Sequence, residues 1–148
     1  MNLLLNVVLF QAGWFACVIG AAHGVPWPGV LAVIAIACWH VARAKQPLQE
    51  TALIAAAAVV GAAFETLLVQ TGWVHYDSGM LLDGTAPYWM VALWSLFATT
   101  LNVSLRSLRE RPWLGGLLAA AGGPATYYAG ARLGALQLAY PGKALVAI

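Results

Sequence analysis

Charge is scarce in this sequence. Only 8% of its 148 residues are Asp, Glu, Lys or Arg, whereas 62% are hydrophobic. Soluble domains carry roughly 25% charged residues, so this chain has too few charges to cover a surface that faces water. The net charge of +2 and the absence of a basic cluster with interleaved aromatic residues exclude a typical nucleic-acid binder. The composition therefore predicts an integral membrane protein.

Recognisable chemical motifs are also missing. The two cysteines, Cys17 and Cys38, lie in separate apolar segments outside any CxxC or Cys/His pattern, so we expect two unbonded thiols at different depths. No HExxH, GxSxG, phosphate loop or dinucleotide fingerprint occurs. The polar residues of two loops have no tight spacing for zinc and are interpreted as solvated, namely His23, His75, Asp77 and Asp83. We expect no metal and no cofactor, and the sequence leaves open whether the protein is an enzyme.

Five apolar stretches approach the roughly 20 residues that a helix needs to cross the hydrocarbon of a membrane. They are Leu3 to Ala22, Pro26 to Ala42, Glu50 to Gln70, Pro87 to Leu105 and Trp113 to Leu138. The chain is therefore predicted to form one all-α domain over residues 1–148. Its architecture is expected to be a polytopic transmembrane helix bundle with five clear spans. The last stretch, YPGKALVAI, is too short to cross, so either it is a partial sixth span or the chain stops before such a span.

The basic residues predict an orientation. Arg43 and Lys45 lie between spans two and three, and Arg106, Arg109 and Arg111 lie between spans four and five. The other two loops contain no Lys or Arg, so the positive-inside rule predicts that the N-terminus and the two basic loops are cytoplasmic. The N-terminal MNLLLN has no basic residue ahead of the apolar run, so we expect the first span to be retained and not cleaved.

Three runs of residues carry a resemblance to a known family: LFQAGWFACVIGAA, LWSLFATTLNVSLRSL and GGPATYYAGARLGA. They are similar to the bacterial multi-pass inner-membrane proteins of the DUF2878 family. The resemblance implies a small inner-membrane protein and no particular activity. It also implies a link to lipid modification, because genes of this family often lie near those for cyclopropane fatty-acid synthesis. The family usually has Asp where Glu65 stands and His where Val103 stands, so a role that needs a histidine at position 103 is not expected here.

The lone carboxylate of Glu65 lies deep in span three. A charge at that depth is costly and marks a candidate functional site. Arg132, in span five, is the only other charge deep in a predicted span, and helical rise places it within about 6 Å of the height of Glu65. We expect Glu65 to face the bundle interior and to pair with Arg132, directly or through one water or a bound head group. The pair is expected to be either a structural ion pair or the frame of a binding pocket.

Span five contains Gly122, Gly123 and Pro124 near its middle, a pattern that predicts a bend or a break. Gly130 and Gly134 form a GxxxG pattern that permits close helix contact. On the predicted cytoplasmic side, polar residues of spans one, two and four are expected to hydrogen-bond between helices or to form a head-group site. They are Asn6, Gln11, His40, Thr99, Thr100, Asn102 and Ser104. Trp14 and Trp94 are predicted to be packing residues.

The leading function is a lipid-associated membrane protein that binds membrane lipids, or assists their modification, through a pocket between spans three, four and five. The candidate binding residues are Glu65, Arg132, Asn102, Tyr127, Asn6 and His40. One alternative is a small transporter or channel subunit built around Glu65 and Arg132. The other is a structural subunit of a larger membrane complex. The expected partners are membrane lipids, with no nucleic acid, and the chain is a candidate for homo-oligomers or for a membrane complex.

Overall fold

The computed structural model of the chain describes residues 2–148, apart from the side chains of residues 109 and 110. Its α-helices are α1 Leu3–Ala22, α2 Trp27–Ala42, α3 Pro47–Gln70, α4 Tyr88–Leu101, α5 Pro112–Arg132 and α6 Pro141–Ala147. A 3-10 helix covers Arg106–Glu110, so the side chain of the predicted loop residue Arg109 lies outside the described part. Two strands of two residues each, β1 Val74–His75 and β2 Gln137–Leu138, pair antiparallel. The predicted all-α class is confirmed.

Two helices, α1 and α3, are long and apolar enough to cross a membrane, with mean hydropathies of 2.0 and 2.2 over 18 residues. The helices α2 and α4 are apolar but shorter, at 16 and 14 residues. Among the described residues, α5 does not meet the same standard of length and apolarity. The structure thus supports membrane association through two helices. It does not by itself support the predicted bundle of five spans.

The helices α1 to α4 form the packed part of the molecule. The helix α4 packs against α1, α2 and α3, and it carries the fully buried side chains of Trp89 and Leu96. The helices α1 and α2 approach closely, since a Cβ atom added to Gly29 would lie 2.5 Å from the Cα of Cys17. By contrast, α5 buries only Tyr127 and Gly130 of its 21 residues. The core therefore lies between the first four helices, and α5 lies at its edge.

Two predicted boundaries are wrong. The helix α4 ends at Leu101 and not at 105, because the N–H groups of Val103 and Leu105 both donate to the carbonyl of Thr100, at 3.1 and 2.9 Å. The helix α5 ends at Arg132 and not at 138. There Gly134 has a positive φ of 85°, and the Ala135 N–H donates to the Gly130 carbonyl at 3.0 Å. This is the Schellman helix cap.

Because α5 ends in that cap, residues 133–138 turn back, and β2 reaches β1 with Val74 opposite Leu138. Gly134 is consequently the residue that ends the helix. The sequence pattern had suggested that Gly130 and Gly134 form a surface for close helix contact. The structure corrects this interpretation, because Gly134 belongs to the helix cap. A Cβ atom at Gly130 would meet Leu136 at 3.2 Å, so Gly130 packs on the returning chain.

The helix α5 continues without interruption through Pro124. The Thr126 hydroxyl donates to the Gly122 carbonyl at 2.7 Å, which adds a side-chain bond beside the proline. The predicted break of span five is therefore absent, whereas a bend at Pro124 stays a prediction. The cysteines are free thiols, with Cys17 buried and Cys38 exposed.

Candidate functional site

Glu65 faces the interior, as predicted, and its side chain is completely buried. One carboxylate oxygen, Oε1, accepts hydrogen bonds from Trp94 Nε1 at 2.9 Å and from the hydroxyl of Tyr127. The other, Oε2, accepts from the hydroxyl of Tyr76 at 2.7 Å. These four side chains are called the carboxylate cluster below. Three neutral donors therefore satisfy the carboxylate, which removes most of the cost of placing it inside the bundle.

Each member of the carboxylate cluster comes from a different part of the chain. Glu65 and Tyr127 each lie five residues before the ends of α3 and α5, so helical rise places both about 7–8 Å from those ends. Tyr76 follows β1, whose pairing with β2 holds that loop beneath the helix ends. Tyr76 also packs edge-on against Trp89, with ring centroids 5.6 Å apart. The cluster thus connects α5 and the β1 loop to the core.

The Tyr76 phenol remains a hydrogen-bond donor in this setting. Burial raises its pKa well above the usual range, and the neighbouring Glu65 carboxylate raises it further. A tyrosine with a raised pKa stays protonated across the physiological range. Its O–H group is therefore permanently available to Glu65.

A direct ion pair between Glu65 and Arg132, the first of the predicted alternatives, is not formed. The salt bridges of residues 2–148 do not include it, and Arg132 is exposed in the last turn of α5. The direct pair was wrongly predicted because α5 was expected to continue to residue 138, which would have placed Arg132 inside the span. With the helix ending at Arg132, its cation lies at a helix C-terminus, where it is favourable to the helix dipole.

Gly61 makes room for the carboxylate cluster one helical turn before Glu65. A Cβ atom at position 61 would lie 2.2 Å from Trp94 Cγ. We expect Gly61→Ala to displace the Trp94 ring, to weaken its bond to Glu65 and to lower the free energy of unfolding by about 1–3 kcal/mol, as overpacking does. Thermal unfolding in detergent measures the change.

A matched control for this substitution is Gly122→Ala, because a Cβ atom there meets nothing within 4 Å. Alanine favours a helix over glycine, so that variant should unfold at the same or a higher temperature. In a Trp94→Ala background, the two clashes with ring atoms disappear and only the one with the Cβ atom of residue 94, at 2.6 Å, remains, so Gly61→Ala should cost less. An equal cost in both backgrounds would contradict the role assigned to Gly61.

A second polar cluster lies at the opposite end of the bundle. His40, in the last turn of α2, is 4% exposed, and its Nε2 lies 3.0 Å from Oε2 of Glu50 in the first turn of α3. Asn102 Nδ2, just after α4, donates to Glu50 Oε1 at 2.9 Å. The turn between α2 and α3 is short, which explains how residues 40 and 50 meet. Of the predicted candidates, His40 and Asn102 are therefore brought together on Glu50.

Asn6 belongs to the same end of the bundle. It is 1% exposed, its Nδ2 donates to the Thr99 carbonyl at 3.1 Å, and its Oδ1 accepts from the Ser104 hydroxyl. These bonds join α1 to the end of α4 and to the turn that follows. Gln11, in contrast, is exposed. The described contacts of Asn6 therefore agree with the predicted hydrogen bonds between helices.

An open cleft adjoins His40 and Glu50. It has a volume of about 590 Å³ and is called the basic cleft here. Its lining includes three exposed cationic side chains, Arg43, Lys45 and Arg106, together with His40 and Glu50. Val103 also lines it, as an apolar residue. Three cations around a concave surface that contains one carboxylate attract an anion, which phosphate-type groups fit best.

The loops at the other end show a weaker arrangement. His75 Nε2 lies 3.8 Å from Asp77 Oδ1, with both side chains more than half exposed, and Gln137 Nε2 donates to Asp77 Oδ2 at 3.0 Å. Within residues 2–148, as described, no three His, Cys, Asp or Glu side chains meet in a group that could hold a metal ion. These contacts stabilise the β1–β2 connection and suggest no chemistry.

Sequence reasoning missed Glu50 and Tyr76. The signal for Glu50 was its position ten residues after His40, across a short turn, which brings the two to one end of adjacent helices. No comparable signal existed for Tyr76, because it lies in a loop whose return path depends on β1–β2 pairing. Trp94 had been predicted as a packing residue, and it packs while also donating to Glu65.

The fold and the two clusters define a small all-α protein with two helices able to cross a membrane, a closed carboxylate cluster and an open basic cleft. The chain belongs to the DUF2878 family, described as a protein of unknown function, whose family model matches residues 3–148. Searches of curated proteins and of solved structures found no match. Its membership of the family is thus established, and any activity has to be argued from the sites.

Proposed function

We propose that this protein is an integral protein of the bacterial cytoplasmic membrane that binds the anionic head group of a membrane lipid in the basic cleft. The observation that carries the proposal is the lining of that cleft by Arg43, Lys45 and Arg106 together with the buried His40 and the partly buried Glu50. A phosphate group accepts hydrogen bonds from both Arg and Lys and is attracted by their charge.

The arrangement of the chain supports a cytoplasmic position for the cleft. Arg43 and Lys45 follow α2, Arg106 begins the 3-10 helix and Arg111 follows it, so the connections at this end carry the basic residues. In the proposed topology α1 to α5 are five spans, the N-terminus is cytoplasmic, and the cleft faces the anionic inner leaflet.

A place for acyl chains lies next to the cleft. Arg43 also borders a second groove of about 540 Å³, whose other lining residues are Asn2, Leu5 and Trp39. The α1 residues Leu3, Leu4 and Leu5 are 59%, 67% and 40% exposed, which suits contact with lipid tails. A head group held in the basic cleft would direct its chains along this apolar face. The proposed binding site therefore differs in place from the pocket expected between spans three, four and five.

Binding of short-chain phosphatidylglycerol to the purified protein in a neutral detergent tests the proposal. We expect the double variant Lys45→Gln/Arg106→Gln to bind about tenfold or more weakly, since each cation near an anionic lipid contributes about 1 kcal/mol. Native mass spectrometry of the retained lipid gives an independent measurement. Arg43 is kept because its guanidinium also stacks on Trp39, 5.0 Å from the ring.

The matched control is Arg111→Gln/Lys143→Gln, which removes the same charge from two exposed residues outside the cleft lining. This variant should keep its affinity within about twofold, because neither side chain lines the cleft and exposed charges that do not touch the ligand are largely screened by salt. Glycerol 3-phosphate and phosphatidylcholine serve as a soluble phosphate and as a zwitterionic lipid. Equal affinity for both lipids would overturn the proposal, and tighter binding of glycerol 3-phosphate would assign the cleft to a soluble ligand.

A structural subunit of a larger membrane complex is the second candidate, favoured by the exposure of α5. Only Tyr127 and Gly130 of that helix are buried, and a Cβ atom at Gly116 or Gly122 would meet nothing within 4 Å. Small residues on an open helix face suit another helix. Co-purification of a second membrane protein that is lost on Gly122→Leu would support this role. The transporter alternative receives no such observation, because Glu65 is closed off and α5 is continuous.

A further inference from the structure

Arg43 borders two concave surfaces at one end of the bundle. It lines the basic cleft of about 590 Å³, and it lines the second groove of about 540 Å³ together with Asn2, Leu5 and Trp39. The side chain of Arg43 is exposed, and its guanidinium stacks on Trp39 with Cζ 5.0 Å from the ring centroid. A guanidinium has five N–H donors. Arg43 can therefore donate to one acceptor in the basic cleft and to another in the second groove.

The second groove has features besides Arg43 that suit an anion. It lies at the N-terminal end of α1, because Asn2 immediately precedes that helix and Leu5 lies in its first turn. The first N–H groups of a helix carry partial positive charge. Asn2 Oδ1 accepts from the Leu4 N–H at 3.0 Å, so the NH2 group of the exposed Asn2 amide is a donor for a ligand. The groove therefore offers an anion a cation and a neutral donor, beside the apolar side chains of Leu5 and Trp39.

The positive charge at this end exceeds the charge of one phosphodiester. The basic cleft is lined by the exposed cations Arg43, Lys45 and Arg106 and by one carboxylate, Glu50, so at least two positive charges remain in excess. A phosphodiester carries a single negative charge, and one such group leaves part of this excess without a counterpart. Complementary charge favours a ligand that brings a second phosphodiester to the same end of the bundle.

We propose that this end of the protein binds a lipid with two phosphodiester groups joined by a short linker, as in cardiolipin. One phosphate lies in the basic cleft, the other lies in the second groove beside Asn2, and Arg43 contacts both. This inference rests on the proposed function and names the lipid class of that site. Once the first phosphate is bound, the linker holds the second at a high effective concentration, so the linked lipid binds more tightly than a lipid with one phosphate.

Short-chain cardiolipin and short-chain phosphatidylglycerol test this inference, because they share the phosphodiester and differ in the number of phosphates. The cardiolipin chains are half as long, so that both lipids carry the same number of acyl carbons. We expect the purified wild-type protein in a neutral detergent to bind cardiolipin about tenfold or more tightly, which is the effect of one further charge-assisted hydrogen bond. Two phosphates that share a single binding place would give only about a twofold statistical advantage.

The variant Asn2→Asp tests where the second phosphate lies. Asp caps a helix as well as Asn does, so the start of α1 should be kept. The change removes the NH2 donor and puts a negative charge in the second groove, so the ratio of the two affinities should fall to about twofold or less. The affinity for phosphatidylglycerol should change by less than about threefold, because its phosphate lies in the basic cleft and the new exposed charge is screened by salt.

The matched control is Gln49→Glu, which adds the same charge at an exposed position in the first turn of α3, outside the lining of both grooves. It should leave the ratio at about tenfold, because an exposed charge that does not touch the ligand is largely screened. A wild-type ratio of about two or less would overturn this inference and leave the proposed function intact. A ratio that Asn2→Asp leaves unchanged would do the same. Binding of neither lipid would overturn both.

Discussion

Replacing Glu65 with leucine is expected to lower the free energy of unfolding by about 3–5 kcal/mol, among the largest effects of any single substitution. The reason is that Tyr76, Trp94 and Tyr127 all donate to its carboxylate. Removing the acceptor takes the shared partner from two buried tyrosine hydroxyls and from the half-buried indole of Trp94, and each donor left unsatisfied costs about 1–3 kcal/mol. Thermal or denaturant unfolding in detergent, followed by circular dichroism, measures the loss.

Two variants control this prediction. Glu65→Gln keeps one acceptor oxygen but turns an amide towards one of the donors, so it should lie between wild type and Glu65→Leu. Asp83→Asn removes a carboxylate from an exposed loop position and should change stability by less than about 0.5 kcal/mol. A Glu65→Leu protein as stable as the wild type would show that the carboxylate cluster contributes nothing to the fold. A ligand role for Glu65 would then become the better account of its presence.

Replacing Gly29 with alanine is expected to lower the free energy of unfolding by about 2–3 kcal/mol, the usual result of overpacking a tight core. A Cβ atom at this position would lie 2.5 Å from Cys17 Cα and 2.6 Å from Cys17 N. These are backbone atoms of α1, so no side-chain rotation relieves the clash and the two helices must separate. The same unfolding measurement in detergent detects the loss.

The control for Gly29 is Gly116→Ala in α5, where an added Cβ atom meets nothing within 4 Å. That change should be neutral or stabilising by up to about 1 kcal/mol, because alanine favours a helix over glycine. The difference between the two glycines isolates steric contact from helix propensity. Equal effects at both positions would contradict the close approach of α1 and α2.

Much of the fold could be predicted from the sequence because it follows from local pattern. The first three helices begin and end within three residues of their predicted boundaries, since apolar runs are bounded there by Pro, Gly or charged residues. The interior position of Glu65 was also predictable, because a carboxylate is costly on any lipid-facing surface. The end of α5 was harder to predict, because the residues GARLG are compatible both with the interior of a span and with a helix cap.

The partners within both sites depended on the tertiary structure. Six polar or charged candidates were named from the sequence, and the structure joins His40 and Asn102 through Glu50, which was not among them. It likewise gives Glu65 neutral donors in place of Arg132. Contacts of this kind depend on how each helix is rotated about its axis and on the return path of a loop. A pattern of apolar and polar residues predicts neither of these.

The sequence by itself determined the apolar composition of this protein, its all-helical character and the burial of one carboxylate. These properties follow from the hydrophobicity and charge of the individual residues. Only the tertiary structure decided that Arg132 lies at a helix end, that Tyr127 reaches Glu65, and that His40 borders a cleft with three cations. The physical reason is distance. Hydrogen bonds and ion pairs act over a few ångströms, and which groups come that close is settled only when the helices pack.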